Sequence, residues 1–118
     1  MSAHFEEIYN KAHAAGMAAL GVTQPAMMTV VDNRTGQVWH ESEGMCGFAW
    51  VNVKPGTCAF AKWLKAEKSG YKDYAGGISI WVKEGGQSIE RKTAYAEAFA
   101  MVLRAFGVTR AYANSRLD

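Results

Sequence analysis

Hydrophobic positions recur along this chain with two different periods, and each period predicts one kind of element. Between residues 5 and 20 they recur every three or four residues, which predicts a first helix ended by Gly21. The helical period returns after Thr57 and after Ser88, two residues expected to cap helices. Alternating segments predict strands at 27–32, 37–41, 48–53, 78–83 and, near the end, 108–113. The order α-β-β-β-α-β-α-(β) predicts one α+β domain over 1–118, with three helices on a mostly antiparallel sheet of four to five strands.

The third predicted helix has very little polar surface. From Ala94 to Phe106 its only charged residues are Glu97 and Arg104, which are seven apart and therefore project from the same side. A helix on the surface of a small domain normally carries a wide polar face. We therefore expect a second copy of the chain to cover the rest of this helix, and we predict a homo-oligomer.

Three tryptophans lie on predicted strands and alternate away from the aliphatic positions. These are Trp39, Trp50 and Trp81. An exposed row of indoles could stack bases or other rings. The favoured interpretation is structural: the second helix, which carries Trp63, is expected to cover them.

Charged residues are distributed unevenly along the chain. The net charge of +2 combines a first part, residues 1–53, with two basic and five acidic residues, and a second part, residues 54–118, with eleven basic and six acidic residues. The basic part could attract phosphates, although a pI of about 8.6 is lower than that of a dedicated nucleic-acid-binding protein. A mixed, solvated surface is the favoured interpretation.

No membrane or secretion signal is visible in the sequence. Apolar runs stay well below the roughly 20 residues that a membrane-spanning helix needs. The N-terminal segment MSAHFEEIYNK is acidic and lacks the basic flank of a signal peptide. We therefore expect a cytoplasmic protein with no membrane partner.

Two loops, at 54–57 and 85–88, deliver a glycine and a hydroxyl group to predicted helix starts. Free backbone N–H groups at a helix N-terminus can bind an anion. Basic residues follow both loops, so a phosphate-bearing ligand or nucleic acid is one interpretation, and ordinary helix starts are the other. The predicted ligand-binding residues are Lys54, Thr57, Lys62, Ser88, Arg91 and Lys92, with Lys65 beside them and Trp50 or Trp81 for stacking.

Cysteine chemistry is a weaker hypothesis. Cys58 follows Thr57 at a helix start, where the helix dipole favours a thiolate, and His40 could act as a base oriented by Asn52. The structural interpretation, which we favour, makes Cys58 and Cys46 free thiols in a reducing compartment. His4 and His13 lie on opposite sides of the first helix and cannot share an ion. We expect no metal site and no cofactor.

Three resemblances add expectations about origin and partners. The segment 85–94, followed by an alanine-rich helix, resembles the end of a double-stranded-RNA-binding domain, which implies lysines on phosphates. The opening helix and the stretch MMTVVDNRTGQVWHE resemble the start of profilin-like domains. Taken whole, through 47–51, 60–65 and 115–118, the chain resembles short proteins encoded in bacteriophage genomes, which implies a source and no activity.

The sequence therefore predicts a non-enzymatic binding or interaction protein that is homo-oligomeric. The alternative is a protein that binds a nucleotide or the phosphates of a nucleic acid through its basic helix N-termini and sheet tryptophans. A cysteine-dependent enzyme using Cys58 and His40 is the third hypothesis.

Overall fold

The structure confirms the α+β fold with three helices. It is a computed structural model that describes residues 2–23, 28–31, 38–41, 47–86 and 88–117, with backbone only for residues 2–3, 28–31 and 38–41. The elements in chain order are α1 (Ser2–Val22), β1 (Met28–Val31), β2 (Val38–Glu41), β3 (Gly47–Val53), α2 (Ala59–Glu67), β4 (Tyr71–Lys72), β5 (Ile78–Trp81), α3 (Ile89–Ala105) and β6 (Ala111–Leu117). The main sheet has four antiparallel strands in the order β4-β5-β3-β6.

The strands differ from prediction in three places. β1 and β2 form a two-stranded antiparallel sheet of their own, and the predicted turn at 32–36 lies outside the described residues. β4 was not predicted, because two residues are too short to show an alternating pattern. β6 starts three residues later than predicted and continues to Leu117, because it pairs with β3 along all seven residues.

One face of β3 lies in the core. Ala49, Val51 and Val53 alternate toward the helices and are almost completely buried. α2 contributes its own apolar side to the same core. Its buried residues are Phe60, Ala61, Trp63 and Leu64. The helices thus cover one side of the main sheet. The alternate strand residues point to the opposite side, away from the helices.

Much of α3 is covered by its own chain. It packs against α1, β3 and β6, and buries Tyr95, Ala96, Phe99, Ala100 and Leu103. Ala96 and Ala100 have no side chain beyond Cβ, which lets neighbouring elements approach closely. The large apolar residues left exposed at the C-terminal end of α3 are Met101, which is 62% exposed, and Phe106, which is 45% exposed.

The ends of the helices partly follow the sequence signals. Ser88 caps α3 as predicted, since its hydroxyl accepts a hydrogen bond from the backbone N–H of Arg91 at 3.3 Å. The cap of α2 is Cys58, so the prediction of Thr57 was wrong by one residue. After α3, Gly107 adopts φ +99°, and the next N–H bonds the carbonyl of Leu103 at 2.9 Å. Within the described residues, no helix has both the length and the apolarity needed to cross a membrane.

Candidate functional site

The side of the main sheet opposite the helices carries five aromatic side chains. We call this set, Phe48, Trp50, Tyr71, Trp81 and Tyr112, the aromatic face. Strand register places them together, since Trp50 lies opposite Trp81, and Tyr71 lies opposite Ser79, the residue two before Trp81. Tyr112 pairs with Asn52, which shares the side of Trp50. An antiparallel sheet with one face on a core and one face free is the arrangement that produces such a surface.

Trp81 is the centre of the aromatic face. Its ring centroid lies 5.1 Å from that of Trp50 and 5.7 Å from that of Phe48, which it meets edge-on at 77°. The Tyr71 ring is nearly parallel to it, with a centroid distance of 6.1 Å. Trp81 nevertheless remains 39% exposed. Tyr112 is 56% exposed, and its ring lies 5.4 Å from the Arg104 guanidinium of α3. The rings of Phe48, Trp50, Tyr71 and Trp81 thus hold one another in place while leaving ring surface open.

Positive charge lies at one end of the aromatic face. The Lys92 ammonium is 5.4 Å from the Phe48 ring centroid and donates to the backbone carbonyl of Gly47 at 3.3 Å. The Arg116 guanidinium lies 5.5 Å from the same ring. The strand positions that share this side in β3 to β6 contain no Asp or Glu; they are Phe48, Trp50, Asn52, Tyr71, Ser79, Trp81, Tyr112, Asn114 and Arg116.

A partly buried polar network closes the opposite end of the face. The Asn52 amide donates to the carbonyl of Gly76 at 2.8 Å and to Ser79 Oγ at 3.0 Å. Ser79 donates to Asp73 Oδ2 at 2.5 Å, and Asp73 Oδ1 accepts from the N–H of Ala75 at 2.8 Å. The bond from Ser79, followed by the bond from Ala75, lowers the pKa of Asp73. These groups are satisfied by one another, so their role is to fix the β4–β5 turn.

The expectation that α2 covers the strand tryptophans was wrong. Trp63 lies in the core, where its ring is 5.5 Å from Phe60, 5.9 Å from Tyr9 and 6.1 Å from Phe5. α2 therefore packs on the aliphatic side of the sheet. The side chain of the third strand tryptophan, Trp39, lies outside the described part of the chain.

Three of the predicted ligand-binding residues come together: Trp50, Trp81 and Lys92. Arg91 begins the same helix as Lys92 and is half-buried. Ser88 is completely buried and its hydroxyl caps α3, so the structure does not present it to a ligand.

The remaining predicted residues belong to two other cavities. Thr57 and Lys62 line one of about 440 Å³ together with Lys65 and Lys72. Lys54 lines another of about 320 Å³. The predicted phosphate site is thus divided over separate parts of the molecule.

The predicted cysteine site is not assembled around Asn52. Cys58 is a half-buried free thiol that lines the same cavity as His4. Asn52 uses its amide in the turn network and is not available to orient a base. His40 lies in β2, for which only the backbone is described. Cys46 lies outside the described residues. Among the residues described, no three His, Cys, Asp or Glu side chains converge as a metal site.

Four members of the site were not predicted from the sequence: Phe48, Tyr71, Tyr112 and Arg116. The alternation of 48–53 already placed Phe48 on the side of Trp50, and this signal could have been used. Tyr71 lies in the strand that was too short to recognise. Tyr112 and Arg116 are assigned to the face only by the register of β6 with β3.

Comparisons of the chain with models of protein families, with curated proteins and with solved structures found no match. The resemblances to bacteriophage proteins, profilin-like domains and double-stranded-RNA-binding domains therefore stay predictions.

Proposed function

We propose that this protein is a non-enzymatic binding protein whose aromatic face stacks the bases of single-stranded nucleic acid. The observation that carries the proposal is the collection of five aromatic side chains on the sheet side away from the helices, centred on the partly exposed Trp81. Ring surface of this kind is tolerant of base identity, because every base has a π face.

Charge supports the same proposal. Lys92 and Arg116 lie at one end of the aromatic face, where they can approach phosphates of a strand whose bases lie on the rings. The Asp73 carboxylate lies at the opposite end of the face, where it is bonded to Ser79. A single strand suits the site better than a duplex, because paired and stacked bases do not offer their faces to side chains.

The direct test measures binding of a fluorescently labelled single-stranded oligonucleotide by anisotropy at low salt. The wild-type protein should bind, with quenching of its tryptophan emission. Because stacking contributes about 1–3 kcal/mol per base, Trp81→Ala should weaken binding by roughly five-fold to more than a hundred-fold. Tyr74→Ala is the matched control, since Tyr74 is a fully exposed aromatic residue outside the aromatic face.

Two results would contradict the proposal. One is the absence of any anisotropy change at low salt for the wild-type protein. The other is an equal loss of affinity in the Tyr74→Ala and Trp81→Ala proteins, because nonspecific attraction would then explain the binding. A duplex of the same sequence should bind more weakly than the single strand.

We also propose that the protein is a homo-oligomer, since its own chain leaves apolar residues uncovered at the C-terminal end of α3. Met101 is 62% exposed and Phe106 is 45% exposed. A second copy would remove both from water. Size-exclusion chromatography with light scattering should give at least a dimeric mass at micromolar concentration, and Met101→Glu should lower that mass. A monomeric wild-type protein would contradict this part of the proposal.

A cytoplasmic location completes the proposal. In that compartment the Cys58 thiol would stay reduced.

A further inference from the structure

A second concave site lies between α1, α3 and the end of β5. It is a cavity of about 220 Å³. Its apolar surface includes Val51, Ile80 and Phe99, and Tyr9 and Tyr95 contribute aromatic rings. Ligand sites commonly combine such an apolar lining with a few polar groups. The chemistry of this cavity therefore depends on which of its polar groups already have partners.

One polar pair in the cavity is closed on itself. His13 Nδ1 and the Tyr95 hydroxyl are 2.5 Å apart. Tyr95 is buried, and this burial raises the pKa of its phenol, so the hydroxyl keeps its proton and shares a hydrogen bond with the imidazole. This bond joins α1 to α3. Because the two atoms are already bonded to each other, neither is the main binding group for a ligand.

The cation at the cavity is compensated as well. The Lys68 ammonium lies 3.0 Å from Glu6 Oε1 and 4.7 Å from the centroid of the Tyr9 ring. A second lysine on the lining, Lys83, is exposed to solvent. Neither lysine gives the cavity a buried, uncompensated positive charge.

Glu84 is different, because its carboxylate forms no ion pair within the described residues, although Lys83 lines the same cavity. It is half-buried, and its Oε1 accepts a hydrogen bond from the backbone N–H of Lys83 at 3.2 Å. In the part of the chain that is described, Lys11 pairs with Glu7 and Lys68 pairs with Glu6, whereas Glu84 forms no ion pair. A carboxylate accepts hydrogen bonds and cannot donate them, so its complement is a cationic donor.

We propose that this cavity binds a small organic amine, with its ammonium group at Glu84 and its apolar tail against Ile80 and Phe99. The Tyr95 ring adds a surface that favours a cation over a neutral group, whereas the Tyr9 ring already faces the Lys68 ammonium. A cavity of about 150 Å³ is large enough for benzene. The larger cavity here should therefore accept one ring with a short aminoalkyl arm. Trp81 of the aromatic face also lines this cavity, so the two sites are neighbours, but the amine proposal does not depend on nucleic-acid binding.

The probe is phenethylammonium, compared by calorimetry or ligand-detected NMR with 2-phenylethanol and 3-phenylpropionate, which have tails of similar size. The amine should bind at least ten-fold more tightly than the alcohol, and the acid should be the weakest. Glu84→Gln should abolish the preference for the amine. Glu67→Gln is the matched control, because Glu67 is an exposed carboxylate at the end of α2 and does not line the cavity.

The wild-type comparison of amine, alcohol and acid tests the proposal even if the Glu84 variant does not fold, which a thermal melt would reveal. Tighter binding of the acid, equal binding of amine and alcohol, or no binding of any probe would overturn it. An unchanged amine preference in folded Glu84→Gln protein would overturn it too.

Discussion

Cys58 occupies a position at which helices usually carry an oxygen. It has extended backbone angles, φ −69° and ψ 155°, and its side chain makes no capping bond. Sulfur is a weak acceptor, so the first N–H groups of α2 lack the partner that Ser, Thr, Asp or Asn would provide. Since helix caps are judged from residue type, the sequence favoured Thr57, the neighbouring hydroxyl.

We expect Cys58→Ser to stabilise the protein. The serine hydroxyl can accept a hydrogen bond from the first turn of α2, a contribution of about 1 kcal/mol for a typical cap. Urea unfolding followed by circular dichroism measures the change in the free energy of unfolding. Thr57→Ala is the control and should be nearly neutral; a larger loss in that variant than the gain in Cys58→Ser would mean that Thr57 caps the helix.

Asp73 should make stability depend on pH at the acid end. The hydrogen bonds from Ser79 and Ala75 lower the pKa of the Asp73 carboxyl group in the folded protein. The native state therefore binds a proton at Asp73 less tightly than the unfolded chain does. The resulting stabilisation is complete above the unfolded pKa of about 3.9 and is lost as pH falls through the lower folded pKa.

The comparison with Asp73→Asn isolates this contribution. Urea midpoints measured near neutral pH and again in acid should fall more for the wild-type protein than for the variant, since asparagine does not titrate. An equal fall in both proteins would mean that Asp73 has the same pKa in the folded and unfolded chain.

At the scale of elements, the contact between α1 and α3 depends on a glycine. A Cβ atom at Gly16 would lie 2.6 Å from the Tyr95 ring, whereas a Cβ at Gly21, in the same helix, would meet no atom within 4 Å. Tyr95 is held by its bond to His13, so the ring has little freedom to move away.

Gly16→Ala and Gly21→Ala should therefore change stability in opposite directions. Overpacking at position 16 should cost about 1–3 kcal/mol. At position 21 the higher helix propensity of alanine should add up to about 0.5–1 kcal/mol. Thermal unfolding of both variants provides the measurement. A stabilising Gly16→Ala would show that the two helices can separate at no cost.

Elements with long hydrophobic patterns were predicted from the sequence, and the shortest strand was not. α1 and α3 are long and periodic, and the sequence predicted both; the cap at Ser88 is a local signal and was also correct. β4 has two residues and is created by the turn that Asp73 holds, a contact between residues that only the folded chain brings together. β6 extends to Leu117 because β3 offers a partner along its whole length.

At the scale of the whole molecule, alternation separated the two sides of each strand and left open which side the helices cover. Trp50 and Trp81 were therefore recognised as candidates and then assigned to the wrong environment. The basic residues show the same limit, since Lys62 and Lys92 look alike in the sequence, whereas only Lys92 lies beside the aromatic face.

Salt should distinguish the two kinds of contact in the proposed nucleic-acid site. If Arg116 pairs with a phosphate, Arg116→Ala should weaken binding and reduce the slope of log affinity against log salt by about one. Trp81→Ala should weaken binding with little change in that slope. Lys65→Ala, in the separate basic cavity, is the control and should alter neither; a reduced slope in this variant would move the phosphate path to α2.

The closeness of Trp50 and Trp81 has an optical consequence. Two indole chromophores 5.1 Å apart and inclined at 59° couple their electronic transitions. Coupled chromophores in a chiral arrangement produce paired bands of opposite sign in circular dichroism. That couplet requires both rings and the register of β3 with β5. It would give the molecule a built-in, label-free signal of whether these two strands are correctly aligned.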